Sequence, residues 1–502
     1  MQEDLSIEDA ARGAGRWRTA VREHPGSAEA QYALGVALVR EDREVEAEAA
    51  FREAASLRPG WAEAHNALGA ALCRLGRYDE GIDALSVAAR LHEDFSLPRF
   101  NLGMAFALCR RYAEAAGAFR RAAALLPGLV ESHVNFAVTL DLLGRHREAA
   151  NAWRDVVRLD PARPDFHARF GWALCRLGEH REAAGAFRDA VHADPGCLEA
   201  LGGLGWACAE IGDLEEAAEA FRKEADSSPG ERRPLYNLGT VLGMLGRHEE
   251  AAERLAEAVK RSPGHPESRY NLGVCLFRLH RHGAAAAAFR EALRIRPAYV
   301  KGWYNLGVAL FETGRHEKAV GAFREVVQRE PGHARGHFNL GISFLALGRE
   351  RQAAGAFREA ALHDPEHTAS LFSLGVLLLR QGKNEAAAEA FRGAAQARPG
   401  YARAHNSIGV ALFRMSRTAE AAEEFREATR IFPSYVGANF NLGLCLLRPE
   451  DRDGASRQLT VLSFLDPPLA QRYAELLSRR GTTAPSLRFA RSPRGAEGYP
   501  PM

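Results

Sequence analysis

A glycine recurs every 34 residues along most of this chain. Between residues 35 and 443 it occupies each step of that spacing except one, where Ala137 takes its place. A self-repeat of this length, with no strand-like segment between its steps, indicates pairs of helices that stack side by side, because each pair must bury its apolar face against the next. The regularly spaced glycines are Gly35, Gly69, Gly103, Gly171, Gly205, Gly239, Gly273, Gly307, Gly341, Gly375, Gly409 and Gly443.

Other positions of the repeat keep the same register. Counted from Ala28 as position 1, position 20 is Ala in every repeat but one, position 24 is always large and apolar, and position 32 is Pro in twelve of thirteen repeats. Positions 4, 7, 8 and 11 share one face of a first helix, and positions 20, 24 and 27 share one face of a second. We expect the glycine at position 8 to face the alanine at position 20. That close approach would offset the roughly 0.5–1 kcal/mol that glycine costs inside a helix.

The run from Tyr304 to Gly307, followed by Ala319, Phe323 and Pro331, resembles the tetratricopeptide repeat. The resemblance implies an all-α fold: a right-handed superhelical α-solenoid of stacked antiparallel helix pairs. One departure is Glu224, which stands at position 27 where the other repeats carry an apolar residue, most often Ala, and which puts the packing of its helix in question. The predicted organisation is an N-terminal half-repeat or capping helix (1–27), thirteen tandem repeats (28–469), a C-terminal capping helix (470–480) and a disordered tail (481–502).

Composition narrows the classes of function. The formal charge is +2, from 66 basic and 64 acidic side chains, which is too balanced to indicate a dedicated nucleic-acid binder. No apolar run reaches the length of a membrane span, and the N-terminus does not resemble a secretion signal, so we expect a cytoplasmic protein. The seven cysteines form no CxxC motif, and we expect reduced thiols in or near the core.

The sequence shows no catalytic motif, and we predict neither enzymatic activity nor a cofactor. No phosphate-binding loop, nucleophile elbow or dinucleotide fingerprint is present. Histidines recur at position 17 in five repeats, but neighbouring repeats stand roughly 8–10 Å apart, too far for adjacent members to share a metal ion easily. We therefore predict no metal site. The series is His146, His180, His248, His282 and His316.

One series does point to binding. Position 6 is Asn in seven repeats, although Asn is a mediocre helix former, so its repetition needs a reason. Tyr236, Tyr270 and Tyr304 each precede one of these asparagines, and Lys301 and Arg335 lie at position 2 of their repeats, where they would favour an acidic ligand. The seven members are Asn101, Asn135, Asn237, Asn271, Asn305, Asn339 and Asn441.

The asparagine series is similar to that of the repeat domain of peptide O-linked N-acetylglucosaminyltransferases. That resemblance implies that the first helices line a concave groove in which the amides grip the backbone of an extended peptide. An amide both donates and accepts hydrogen bonds and therefore suits any peptide sequence. The alternative is that Asn was inherited by repeat duplication and points its amide to water.

We therefore predict a non-catalytic scaffold that binds extended protein segments and assembles multiprotein complexes. Two alternatives stay open: an accessory or substrate-recognition arm for a glycosyltransferase-like enzyme, and RNA binding along the groove. An RNA binder would lose affinity steeply with added salt. The partner's identity and the oligomeric state are left open by the sequence.

Overall fold

The computed structural model describes residues 13–447 and 451–478, and within these ranges the regular structure is helical, without a β-strand. The predicted all-α fold of stacked helix pairs is confirmed: 28 helices follow one another in the described ranges, and within each compact unit consecutive helices pack together. None of the described helices combines the length and the apolar character needed to cross a membrane.

The chain forms two compact units, Met1–Gly246 and Arg247–Met502. The helices of the first unit are α1 Ala14–Glu23, α2 Ala28–Arg40, α3 Glu44–Leu57, α4 Ala62–Arg74, α5 Tyr78–Leu91, α6 Ser96–Leu108, α7 Tyr112–Leu125, α8 Val130–Leu142, α9 His146–Leu159, α10 Pro164–Arg176, α11 His180–Ala193, α12 Leu198–Ile211, α13 Leu214–Ser227 and α14 Arg232–Met244. The helices of the second unit are α15 His248–Arg261, α16 Pro266–Arg278, α17 His282–Ile295, α18 Val300–Glu312, α19 His316–Arg329, α20 Ala334–Ala346, α21 Glu350–His363, α22 Thr368–Arg380, α23 Asn384–Ala397, α24 Ala402–Arg414, α25 Thr418–Ile431, α26 Val436–Cys445, α27 Arg452–Leu465 and α28 Pro467–Ser478.

We call the even-numbered helices from α2 to α26 the first helices and the odd-numbered helices from α3 to α27 the second helices. They are joined by a turn whose residue at position 15 has a positive φ, as at Gly314 (71°). Glycine adopts this left-handed conformation without steric cost, which explains why eight of the repeats place Gly at this position. In four other described repeats the residue with positive φ is Asp42, Arg110, His280 or Ser416.

The glycine at position 8 makes room for an aromatic ring, not for the alanine at position 20. A Cβ placed on Gly307 would lie 2.6 Å from Cε1 of Phe323, the position-24 residue of the same repeat, which is fully buried. The same arrangement recurs wherever position 24 is Phe in the described repeats. In those repeats the nearest neighbour is therefore the position-24 ring and not the alanine that we expected. Beside Gly69 the position-20 backbone is among the nearest groups, with the carbonyl oxygen of Gly81 at 2.9 Å.

The last repeat fills the same space from a different helix. A Cβ on Gly443 would lie 2.8 Å from the ring of Tyr473, which belongs to α28 and donates its hydroxyl proton to the carbonyl oxygen of Gly443 at 3.0 Å. At the other end, Trp17 of α1 is buried against the first repeats. The predicted repeat limits 28–469 and 470–480 stay predictions. Residues 1–12 and the proposed disordered tail, 481–502, lie outside the described residues.

Glu224 is accommodated by two changes elsewhere in the sequence. Its side chain is buried on α13, and its Oε1 accepts a hydrogen bond from Nη2 of Arg233 at 2.9 Å. Gly202 of α12 lies beside it, and a Cβ there would come within 3.0 Å of Oε1. Burial raises the pKa of this carboxyl above its ordinary value, although Arg233 opposes the shift. The helix therefore packs normally at the cost of one buried charge.

Candidate peptide-binding face

The predicted asparagines lie on the first helices, and four of them bridge neighbouring repeats. In each bridge the side-chain Nδ2 donates to a polar side chain 35 residues earlier, at position 5 of the preceding repeat. Asn305 donates to the hydroxyl of Tyr270 at 2.8 Å, and Asn339 donates to the hydroxyl of Tyr304 at 3.0 Å. The other two bridges join Asn101 to Asn66 at 2.9 Å and Asn441 to Asn406 at 3.0 Å.

These bridges supply a structural reason for the repeated asparagine. Asn339 and Asn441 are buried, and a buried donor without a partner would be costly, so the hydrogen bond to the preceding repeat satisfies the Nδ2 of each. The buried Oδ1 of Asn441 has no hydrogen-bond partner among the described residues. Asn135 and Asn237 differ, because the preceding repeat offers Phe100 and Gly202, which have no polar side chain. Both are half-buried, and within the described part of the chain their amide groups have no side-chain hydrogen bond. Peptide binding by the asparagines stays a prediction, and these two amides are the best placed for it.

The tyrosines of the series are half-buried. The ring of Tyr270 packs against Phe289 and Tyr299, with centroids 5.6 and 4.9 Å away, and Tyr304 packs against Phe323 at 5.9 Å. Burial raises the pKa of the Tyr270 and Tyr304 hydroxyls, while the asparagine hydrogen bonds partly oppose the shift. The rings of Tyr270 and Tyr304 therefore pack within their own repeats and their hydroxyls bridge to the next, so the rings are only partly available to a ligand.

The two predicted cations are accessible. Lys301 and Arg335 are exposed at position 2 of consecutive repeats, and neither forms an ion pair with another described residue. At the equivalent place in the repeat before them, Glu267 is paired instead with Arg296 at 2.5 Å. At position 2, therefore, α18 and α20 carry positive charge in consecutive repeats, and Arg403 of α24 carries it again two repeats later.

The bridges make a prediction about stability. We expect Asn305→Ala to lower the free energy of unfolding of the second unit by about 0.5–1.5 kcal/mol, because the hydroxyl of Tyr270 loses its partner. In a double-mutant cycle with Tyr270→Phe, measured by urea denaturation, the coupling free energy between the two changes should be of the same size as this loss. Asn135→Ala, which breaks no such bond, is the control and should change stability by less. Additive effects of the two changes would show that the bridge contributes nothing.

The first helices of the first unit carry a cleft that the sequence analysis missed. It has a volume of about 590 Å³ and is lined by Trp172, Glu199, Gly202, Trp206, Arg233 and Asn237, which come from α10, α12 and α14. Only Asn237 was among the predicted site residues. The signal was present in the sequence, because both tryptophans occupy position 9, directly after the regularly spaced glycine of adjacent repeats.

A row of exposed apolar side chains lies on the same helices. Positions 9 and 13 of the first helices in the first unit present Met104, Leu108, Leu142, Trp206 and Met244 to solvent. Their exposed fractions range from 37% for Trp206 to 62% for Met244. In the second unit, the described first helices expose no comparable large apolar side chain. The two units therefore present different chemistry on their first helices, apolar and aromatic in one and amide and cationic in the other.

Among the described residues, the titratable groups show no arrangement typical of catalysis. No disulfide joins the seven cysteines, all of which lie in the described ranges, and four of them are buried. Burial raises the pKa of Cys175 and Cys275 to about 11 and that of Cys208 to about 12, so these thiols stay protonated near neutral pH. Within residues 13–447 and 451–478, no three His, Cys, Asp or Glu side chains cluster closely enough to hold a metal ion.

Comparison with known protein families agrees with the repeat pattern. Two family models, both described as tetratricopeptide repeat, together match most of the chain. The first matches residues 2–62, 46–94, 66–129, 140–196, 169–232, 236–300, 338–402 and 406–455, and the second matches residues 276–337.

Solved structures of repeat proteins are similar over parts of the chain. MamA from Desulfovibrio magneticus is 24% identical over 34% of this chain and 96% of its own, with a TM-score of 0.32. YrrB, described as a TPR protein with an unusual peptide-binding site, is 20% identical over 40% of this chain and 99% of its own, with a TM-score of 0.35. The C-terminal part of a TPR repeat-containing protein from Cytophaga hutchinsonii is 14% identical over 48% of this chain and 99% of its own, with a TM-score of 0.44. A search of curated proteins finds no match.

Proposed function

Since the chain belongs to the tetratricopeptide repeat family, we propose that it is a non-catalytic scaffold that binds extended segments of partner proteins along its first helices and so assembles protein complexes. Repeat arrays of this kind present one long surface built from equivalent positions of successive units. A partner segment that lies across several first helices can contact each of them in turn.

The observation that carries this proposal is the exposed apolar row on the first helices of the first unit. Leu108 and Leu142 stand at position 13 of consecutive repeats and are 58% and 59% exposed. Large apolar side chains gathered on one face mark an interaction surface, because their exposure to water is unfavourable until a partner covers them. The uncommitted amide of Asn135, on the helix that carries Leu142, can bind the backbone of the same segment.

A selection experiment tests the proposal. A display library of random peptides is panned against the full chain, and the affinities of enriched peptides are measured by fluorescence anisotropy. We expect the double change Leu108→Asp and Leu142→Asp to weaken binding at least tenfold, because two carboxylates would be desolvated under the peptide. The melting temperature should change little, since both side chains are already exposed.

Leu362→Asp is the matched control. Leu362 is 68% exposed but lies on α21, a second helix of the other unit, so its replacement should leave binding unchanged. If no peptide is enriched, or if the double change leaves every enriched peptide bound as before, the proposal is wrong. An RNA-binding protein would instead retain single-stranded RNA and release it steeply as salt is added, which is the outcome that would favour that alternative.

A further inference from the structure

We propose that the cleft between α10, α12 and α14 binds a basic side chain, lysine or arginine, of an extended partner segment. This inference rests on the proposed function and assigns a chemical preference to one part of the first-helix surface. It is carried by three features of the cleft: two tryptophans held in fixed orientations, an unpaired carboxylate at its edge, and a glycine that leaves its floor open.

The two tryptophans form an aromatic wall. The ring centroids of Trp172 and Trp206 are 6.1 Å apart and their planes are inclined by 36°. Each ring also makes an edge contact with a neighbouring ring, Trp172 with Phe187 at 5.3 Å and Trp206 with His180 at 5.1 Å. Tryptophan is the aromatic side chain that attracts cations most strongly through its ring face, and arginine also stacks on it.

The charge of the cleft favours a cation. Glu199 lies at the cleft and is exposed, and no other described residue forms an ion pair with it. Arg233 also lines the cleft, but its guanidinium pairs with the buried carboxylate of Glu224 at 2.9 Å, so the two charges compensate. The three groups together leave one negative charge, on the residue best exposed to a ligand. An acidic side chain would be repelled there, and an apolar one would leave Glu199 without a partner.

The floor of the cleft is open because its position-5 residue has no side chain. Position 5 is Ala168 in the preceding repeat and Tyr236 in the following one, whereas this repeat has Gly202. A Cβ on Gly202 would lie 3.0 Å from Oε1 of Glu224, so a larger residue here would press on that carboxylate. The Oε2 atom of that buried carboxylate has no hydrogen-bond partner in the described part of the chain. The substitution that accommodates Glu224 therefore also creates space for a ligand side chain above it.

The amide of Asn237 completes the site. It lines the cleft, and no side-chain hydrogen bond within the described residues occupies it. An amide at this place can bind the backbone of the segment whose basic side chain enters the cleft, since it donates and accepts together. The residues thus divide their roles: the tryptophans and Glu199 select the side chain, and Asn237 holds the chain that carries it.

The test uses the peptides selected on the full chain. We expect enriched sequences to share a lysine or arginine, and replacement of that residue by norleucine to weaken binding about tenfold in fluorescence anisotropy. Glu199→Gln and Trp206→Leu are made separately. Each should weaken binding of the basic peptide by a similar factor and leave binding of the norleucine peptide unaffected. The matched control is Glu131→Gln, because Glu131 occupies the same repeat position on α8, is exposed, and has no tryptophan at position 9 of its own or the preceding repeat.

The outcomes separate this inference from the proposed function. Peptides that are enriched and depend on Leu108 and Leu142, but show no basic preference or ignore Glu199→Gln, would overturn the inference and leave the scaffold standing. A preference for acidic residues would overturn it as well. If no peptide is enriched, both proposals fall.

Discussion

Replacing Gly307 by leucine is expected to destabilise the second unit by about 3 kcal/mol, the upper end of the usual cost of overpacking. A Cβ at this position would lie 2.6 Å from Cε1 and 2.8 Å from Cζ of Phe323, whose ring is fully buried. The ring also packs edge-on against Tyr304 at 5.9 Å, so its displacement would disturb the next contact in the stack. The two helices α18 and α19 must therefore separate.

Gly321→Leu, in the same repeat, is the control, and its expected effect on stability is opposite in sign. Gly321 is exposed on α19, and a Cβ there meets nothing within 4 Å, so leucine should stabilise the helix by roughly 0.5–1 kcal/mol. Urea denaturation followed by circular dichroism measures both variants. In the Gly307→Leu variant, the amides of α18 and α19 should lose protection against hydrogen exchange, because repeat arrays open locally. Equal stability of the two variants would show that the glycine is not there to admit the ring.

Arg233→Met is expected to destabilise the first unit by about 2 kcal/mol near pH 7. The change leaves the carboxylate of Glu224 buried without a partner, and breaking a buried ion pair costs roughly 3–5 kcal/mol. We reduce that figure because the Arg233 side chain is 65% exposed and solvent already screens the pair. Methionine keeps the aliphatic part of the side chain, so the effect reports mainly on the charge.

The loss of stability caused by Arg233→Met should become smaller as the pH falls. Burial raises the pKa of Glu224 in the folded protein, and loss of Arg233, which opposes that shift, should raise it further. Between the ordinary carboxyl pKa and the raised folded value, the folded state binds a proton that the unfolded state has released. Stability therefore falls as the pH rises through this window and is greatest below it. We expect the difference between variant and parent to be smaller near pH 4.5 than near pH 7.

Arg335→Met is the matched control, because Arg335 occupies the same repeat position on α20, is exposed, and pairs with no described acidic residue. It should change stability by less than about 0.5 kcal/mol at either pH. The double variant Arg233→Met with Glu224→Gln should recover part of the loss, since the buried group is then neutral. A penalty for Arg233→Met that is independent of pH would show that Glu224 is not its cause.

The helices and their pairing could be predicted from the sequence alone. The 34-residue spacing places the first helix of a typical repeat at positions 1–13 and the second at positions 17–30, as Val300–Glu312 and His316–Arg329 illustrate. A helical period shows which residues share a face, and this information is local to each repeat. The repeated Asn at position 6 was also correctly singled out as needing an explanation.

Only the tertiary structure establishes which residues are in contact across a helix pair and between repeats. The structure shows that the ring of Phe323, not an alanine, lies under Gly307, and that the amide of Asn305 is committed to Tyr270 of the preceding repeat. It also shows that Gly202 and Glu224, which are far apart in the sequence of the repeats, lie side by side. The missing side chain of Gly202 makes room for the carboxylate of Glu224 and leaves a cleft beside Trp206. The physical reason is that periodicity specifies a face, whereas a contact depends on the crossing geometry of two helices and on the rotamers that fill the space between them.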